Sequence, residues 1–300
     1  MSIPFVYHPI YSVPFPAEHR FRMEKFRLLY EKLLQKNIIN NSNIFVPQQP
    51  VTPEMIEIAH SKEYIDMFFH NKLDKTRAKK LGLPWSEQLA TRTKYSIAGT
   101  LLTTELALKY GIACHLAGGT HHSHFDFGSG FCIFNDLAIA ALTLVEQQLA
   151  DVIFILDCDV HQGDGTATIL QQHAHIFTCS IHCKNNFPLK KTHSDLDIAL
   201  EKDCGDDEYL SALQQALQKM LAIEPDLVIY DAGVDVHVED ALGKLSMTSQ
   251  GIATRDHLVI QTCRENNIPV ATVIGGGYHK DLDHLAERHS IVHEQAIKFA

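Results

Sequence analysis

The segment DCDVH (157–161) offers the side chains best suited to bind a metal ion. Residues two apart in an extended segment project to the same side, so Asp159 and His161 can reach one ion, and Asp157 lies on that side as well. Carboxylate oxygens and imidazole nitrogens bind zinc, and catalytic zinc takes three protein ligands and keeps one open position. Such donors discriminate weakly between zinc and ferrous iron. We expect the third ligand from another segment, where Asp235 is the best placed.

A tandem histidine pair, His121-His122, follows two glycines and provides candidate proton carriers. One imidazole can accept a proton from an attacking water and return it to a leaving amine. Each imidazole then needs a carboxylate behind it to fix its tautomer and its basicity, and Asp157 and Asp164 are the available candidates. The alternative is a surface histidine cluster or a pair of hydrogen-bonded core residues, and the pair alone does not decide between them.

Three aromatic residues complete the candidate site. Tyr278 follows three consecutive glycines, which can place its hydroxyl where an oxyanion develops. For that tetrapeptide alone, a glycine turn with a packing tyrosine is the more frequent arrangement. Phe131, which follows Gly130, and Phe187 can wall a narrow apolar channel, although a single phenylalanine is usually a core residue.

These candidates follow short apolar runs at regular intervals, which predicts the elements that position them. Strands buried on both faces read as unbroken apolar runs. We therefore predict one α/β domain over residues 1–300, with a central, mostly parallel β-sheet between helix layers. Ligands bind beyond the carboxyl ends of such strands. The strands are predicted at 112–117, 152–156, 176–180, 227–230 and 270–274, with helices at 136–148, from 166, at 207–221, at 250–266 and from 281.

The remaining chain has less regular patterns. Apolar residues at helical spacing predict helices over 20–36, from residue 61 and over 96–110, where Gly99 allows close packing. The polar, basic stretch 74–85 is predicted to be a loop, and 183–205 an irregular segment.

Composition bounds the class of protein. The 300 residues are 45% hydrophobic, which excludes a disordered chain, and carry a net charge of −10, which argues against nucleic-acid binding. The seven cysteines cannot all pair with one another. We expect a cytoplasmic protein in a reducing compartment, since neither a signal peptide nor a membrane span is evident.

Together these residues resemble the zinc-dependent histone deacetylase family of the arginase/deacetylase superfamily, most closely its class IV type and bacterial relatives. The resemblance covers nearly the whole chain in the order of the family motifs. It is carried by GGTHHSH (118–124), GSGFCIFND (128–136), LDCDVHQGDGT (156–166), SIHC (180–183), DAGVD (231–235) and GGGYH (275–279).

The resemblance implies an enzyme that removes acetyl or longer acyl groups from lysine side chains of proteins or from small amines. It implies zinc ligands at Asp159, His161 and Asp235. The proton-transfer pair would be His121 and His122, with Asp157 and Asp164 behind it, and Tyr278 would polarise the carbonyl. Channel residues would be Gly130, Phe131, Phe187 and Arg20, the last near an internal cavity that releases acetate. A structural potassium ion is implied near Asp157, Asp159, His161, Ser180 and Ile181, partly through backbone carbonyls.

Three other functions are compatible with parts of this pattern. Hydrolysis of acetylpolyamines requires the same catalytic set and differs in substrate. An arginase-like ureohydrolase would bind two manganese ions and favours D-x-H-x-D over the observed D-x-D-x-H. A non-enzymatic acyl-lysine binding module would not need the complete set of ligands, histidines and tyrosine. The oligomeric state is left open by the sequence.

Overall fold

An eight-stranded parallel sheet forms the centre of the computed structural model, which describes residues 3–300. Its strand order is β2-β1-β3-β8-β7-β4-β5-β6, and every neighbouring pair is parallel. The strands are Phe5–Val6 (β1), Ile44–Phe45 (β2), Ile112–His115 (β3), Ile153–Asp157 (β4), Ile176–Cys183 (β5), Leu196–Leu200 (β6), Leu227–Asp231 (β7) and Val270–Val273 (β8).

Helices flank the sheet, so the central strands β3, β4, β7 and β8 are buried along their whole length. The helices are Lys25–Gln35 (α1), Pro53–Ile56 (α2), Lys62–Phe69 (α3), Lys75–Leu81 (α4), Glu87–Tyr110 (α5), Asp136–Glu146 (α6), Asp164–Leu170 (α7), Asp206–Ile223 (α8), Ser249–Glu265 (α9) and Leu282–Ala296 (α10). The α/β class with a central parallel sheet is therefore confirmed.

Helix α5 packs closely on β3 because Gly99 has no side chain. A Cβ atom at this position would lie 2.0 Å from the Tyr11 hydroxyl and 2.3 Å from Nε2 of His115. The close packing expected at Gly99 is thus present in the structure.

Two predictions of local structure were wrong. The basic stretch predicted to be a loop contains α4, which Asp74 caps at its start and the left-handed Gly82 ends. The segment 183–205 contains the edge strand β6. Both elements bury few apolar side chains, so they lack the hydrophobic period on which the predictions rested.

Among residues 3–300, no helix combines the length and the apolar character that crossing a lipid bilayer requires.

Candidate active site

The ends of two neighbouring strands bring the predicted metal ligands together. Strands β4 and β7 are paired so that Asp157 lies opposite Asp231, and the loops that follow them carry the three ligands. Nδ1 of His161 lies 2.9 Å from Oδ1 of Asp159 and 3.2 Å from Oδ2 of Asp235. One ligand atom from each of the three residues lies within 4.8 Å of the other two.

The hydrogen bonds around these carboxylates leave room for an ion. Asp235 accepts the Val160 N–H at Oδ1, at 2.9 Å, whereas its buried Oδ2 accepts no hydrogen bond from residues 3–300 and faces the ring nitrogen of His161 at 3.2 Å. Asp159 accepts the Gly276 N–H at Oδ2, at 2.8 Å. An unpaired buried carboxylate oxygen is costly. The donor set and this unpaired oxygen therefore fit a divalent metal.

Charge crowding at the site also favours a cation. Burial and then the charge of Asp159 raise the pKa of Asp235 to about 7. Burial and then the charge of Asp157 raise the pKa of Asp231 well above its usual value. Four carboxylates thus compete to ionise in one buried cluster, and a bound cation would remove that competition.

A second group of possible ligands consists of His121, Asp157 and Asp231. Nδ1 of His121 is already hydrogen-bonded to Oδ2 of Asp157 at 2.7 Å, so these two atoms satisfy each other. Neither carboxylate oxygen of Asp231 has a hydrogen-bond partner in the part of the chain that the structure describes. Sequence reasoning assigned Asp231 no role, although it opens the DAGVD motif. The group of Asp159, His161 and Asp235 stays the predicted metal site.

Each histidine of the tandem pair has the carboxylate that the sequence suggested. His121 bonds Asp157, and Nδ1 of His122 lies 2.7 Å from Oδ1 of Asp164. Burial opposes a charge on His121, but Asp157 and Asp159 outweigh it and raise its pKa well above the usual value. Burial and the charge of His121 lower the pKa of His122 to about 4. At neutral pH, His122 is therefore the imidazole free to accept a proton.

All four predicted channel residues line one open cavity of about 900 Å³, together with His122, Asp164 and Tyr278. The ring of Phe187 stands perpendicular to that of His122, with 4.8 Å between their centroids. A Cβ atom on Gly130 would lie 2.6 Å from Cδ2 of His122. The channel wall can therefore approach this imidazole only because residue 130 is a glycine. The four channel residues are Arg20, Gly130, Phe131 and Phe187.

Tyr278 faces the same cavity from the loop after β8. Its backbone N–H donates to Oδ2 of Asp240 at 2.7 Å, and its ring centroid lies 6.3 Å from that of His161. Burial and the charges of Asp159 and Asp235 raise the pKa of its hydroxyl well above the usual value. The phenol consequently stays protonated and can donate a hydrogen bond.

A small internal cavity of about 30 Å³ lies behind these residues. Its basic side chains are not the arginine that the sequence predicted there. Arg20, expected near such a cavity, is exposed and lines the outer cavity instead. The internal cavity is lined by Lys25 and Arg92. Lys25 is 2% exposed, and its Nζ donates to the carbonyl of Gly275 at 3.2 Å. Sequence reasoning missed Lys25, although it falls on the buried stripe of α1 with Leu29.

The residues of the expected potassium site also come together. Asp157 on β4 is the register partner of Ser180 on β5, and Ile181 follows it. The N–H of Cys183 donates to the carbonyl of Val160, which joins β5 to the metal-ligand loop.

A buried arginine on α9 joins the two loops that carry the metal ligands. Nη1 of Arg255 donates to the carbonyls of Cys158, at 3.2 Å, and Gly233, at 2.7 Å. Asp256 balances its charge at 2.9 Å and is itself held by the Tyr230 hydroxyl at 2.6 Å. Sequence reasoning missed this arginine because it lies in a helix far along the chain.

Comparisons with known proteins identify the family of the chain. The histone deacetylase domain matches residues 19–294. An uncharacterised protein of Picosynechococcus is 48% identical over 297 residues, which are 99% of both chains. Histone deacetylase 2 of Arabidopsis thaliana is 26% identical over 93% of this chain and 75% of its own length. The acetoin utilization protein AcuC of Staphylococcus aureus is 28% identical over 88% of this chain and 74% of its own.

Solved structures share the fold. The chain superposes on an HDAC homologue from Aquifex aeolicus with a TM-score of 0.83 and 22% identity, over 99% of this chain and 84% of that one. The HD domain of HDA15 gives a TM-score of 0.81 with 20% identity, over 98% and 90% of the two chains.

Removing a predicted ligand should abolish metal binding. We expect about one divalent ion per wild-type chain after reconstitution, and almost none in Asp235→Ala or His161→Ala, because three protein ligands are the usual minimum for a catalytic site. Metal content by mass spectrometry measures this. Asp231→Asn is the matched control and should keep its ion. Full metal content in Asp235→Ala would contradict the assignment, and two ions that fall to one in Asp231→Asn would favour a binuclear site.

Replacing Arg255 should weaken metal binding without touching a ligand. Lysine keeps the charge but is one bond shorter and lacks the Nε–H that donates to Asp256, so we expect Arg255→Lys to raise the metal dissociation constant by about 10- to 100-fold, as when a supporting partner is lost. Competition with a chelator measures it. Arg264→Lys, on the same helix, should match the wild type. Unchanged metal affinity in Arg255→Lys would show that the guanidinium does not position the ligands.

Proposed function

The chain belongs to the histone deacetylase family, and we propose that it hydrolyses the amide bond of acylated lysine side chains with the help of one zinc ion. The family supports deacetylase activity. The observation that carries the finer proposal is that His161 of a possible three-ligand metal site, a carboxylate-backed imidazole and a protonated phenol all line one cavity.

The metal would be held by Asp159, His161 and Asp235. When bound, zinc supplies a Lewis acid that polarises the amide carbonyl and lowers the pKa of an adjacent water to about 7. The cluster His121–Asp157 would then provide charge beside it, and the residues around Asp157 and Ser180 would hold a structural potassium ion.

The chain's own residues would perform the proton transfers. His122 is neutral at pH 7 and would take a proton from the attacking water. The Tyr278 hydroxyl would donate to the oxyanion as the carbonyl carbon becomes tetrahedral. His122 would then return its proton to the departing lysine amine, while Asp164 keeps the imidazole oriented.

The channel would bind the substrate, and the internal cavity would bind the carboxylate product. Phe131 and Phe187 would enclose the aliphatic stem of the acyl-lysine between two aromatic rings. The carboxylate product carries a negative charge, which the buried cations Lys25 and Arg92 of the internal cavity would attract.

Replacing the tyrosine tests the proposed reaction. Tyr278→Phe should lower kcat on an acetyl-lysine peptide by about 10²- to 10³-fold, the usual cost of losing one oxyanion donor. Its metal content should equal that of the wild type, since the hydroxyl is not a ligand. Acetate release measures turnover. Tyr110→Phe, outside the cavity, serves as the control, and undiminished turnover in Tyr278→Phe would refute the role of the phenol.

A further inference from the structure

The mouth of the outer cavity is positively charged, although the chain as a whole carries a net charge of −10. Among residues 3–300, only one carboxylate lines this cavity, that of Asp164, and it is engaged by His122 and by His124, whose Nε2 lies 3.1 Å away. The cations come from three separate segments of the chain. We call the four exposed cations that line the cavity the basic rim: Arg20, Lys79, Lys80 and Lys190.

The basic rim forms no ion pair or hydrogen bond with the described part of the chain. Over residues 3–300, none of its four side chains has a carboxylate within 4.0 Å or donates a hydrogen bond. Lys80 makes one intramolecular contact of note, with its Nζ 3.3 Å above the ring of Phe127. By contrast, the neighbouring Lys191 is engaged, since it donates to the carbonyl of Asn186 at 2.9 Å. The rim cations are therefore available to an external ligand.

The rim is fixed to the channel wall. The N–H of Gly130 donates to the carbonyl of Lys80 at 3.3 Å, and that of Phe131 donates to the carbonyl of Leu81 at 2.9 Å. These bonds attach the end of α4 to the loop that walls the channel. The backbone that carries the two lysines of α4 is consequently held beside the channel wall.

A structural role accounts for only half of the rim. Lys79 and Lys80 lie in the last turn of α4, where positive charge stabilises a helix by about 0.3–1 kcal/mol. That effect does not extend to Arg20, which precedes α1, or to Lys190, in the loop between β5 and β6. Four unpaired cations from three segments around one opening point to a common ligand.

We propose that the basic rim selects acyl-lysines that lie in acidic polypeptide segments, with aspartate or glutamate close to the modified lysine. This inference rests on the proposed deacylase function and specifies its substrate class. An acyl-lysine side chain inserted toward His122 leaves its backbone and neighbouring residues at the mouth, within reach of the rim. Exposed charges interact over about 10 Å at 0.1 M salt, so the local cations dominate over the negative charge elsewhere.

The same rim disfavours the alternative substrates. Acetylpolyamines carry several positive charges, and the rim would repel them during entry. A histone-tail sequence rich in lysine and arginine would be repelled for the same reason. The chemistry of the mouth therefore favours an anionic protein over a basic protein or a small polyamine.

The test compares peptides that differ only in the charge around one acetyl-lysine: two flanking glutamates, two glutamines or two lysines. Each exposed ion pair changes affinity by a factor of about 1.5 to 5. We expect kcat/KM to be about tenfold higher for the acidic than for the basic peptide, mainly through KM. The preference should shrink to about twofold in Lys79→Gln/Lys80→Gln/Lys190→Gln and at high salt.

Two controls distinguish the effect of the rim charge on substrate preference from a loss of activity through damage to the site. The variant Lys62→Gln/Lys109→Gln/Lys219→Gln removes the same charge from exposed positions outside the cavity and should keep the tenfold preference. An uncharged, blocked acetyl-lysine should be hydrolysed equally by the wild type and the rim variant. Equal rates on all three peptides, or a preference that survives in the rim variant, would overturn the inference while leaving the deacylase function standing. Failure to hydrolyse every peptide and the blocked acetyl-lysine with metal bound would overturn the proposed function itself.

Discussion

Carboxylates from two adjacent strand ends share one buried volume, and most of the site follows from that constraint. The register of β4 against β7 sets Asp157 beside Asp231, and the loops beyond them converge on His161. Negative charge in such a volume is costly unless it is hydrogen-bonded or paired with a cation. Backbone N–H groups and His121 meet part of this need, and the unpaired oxygen of Asp235 is where a metal ion would meet the rest.

Close approach of the surrounding backbone is the second requirement. A Cβ on Gly276 would lie 2.2 Å from Oδ2 of Asp235 and 2.4 Å from Oδ2 of Asp159. Only glycine allows this loop to bring an N–H donor to Asp159 and still place Tyr278 two residues later. Arg255 acts from the opposite direction, because one guanidinium nitrogen fixes the carbonyls of both ligand loops. The two loops that carry the metal ligands are thus held on one side by the glycine loop after β8 and on the other by α9.

The sequence was sufficient to predict the site residues where a polar motif directly follows an apolar run. Polar motifs directly after apolar runs predicted the strand ends, and therefore which side chains would meet. Residues whose role depends on tertiary contacts could not be found in this way. Lys25 and Arg255 carry ordinary charges in helices, and only the packing of α1 and α9 shows that they are buried beside the site. Helix α4 was missed because its exposed, basic sequence lacks a repeating apolar face, although Asp74 and Gly82 mark its two ends.

Helix α4, which the sequence did not predict, adds positive charge at the solvent-exposed mouth of the cavity. The buried carboxylates around the metal-ligand group make the inner region negative, which suits a metal ion, whereas the cations of the basic rim have no partner among residues 3–300. Since bonds from Gly130 and Phe131 join α4 to the channel loop, the two charge regions have a fixed relation. Hydrolysis of the amide would depend on the inner, negatively charged region. Binding of a substrate would depend on the outer, positively charged region. Substrate choice could therefore change through surface substitutions on α4 while the ligand geometry stays the same.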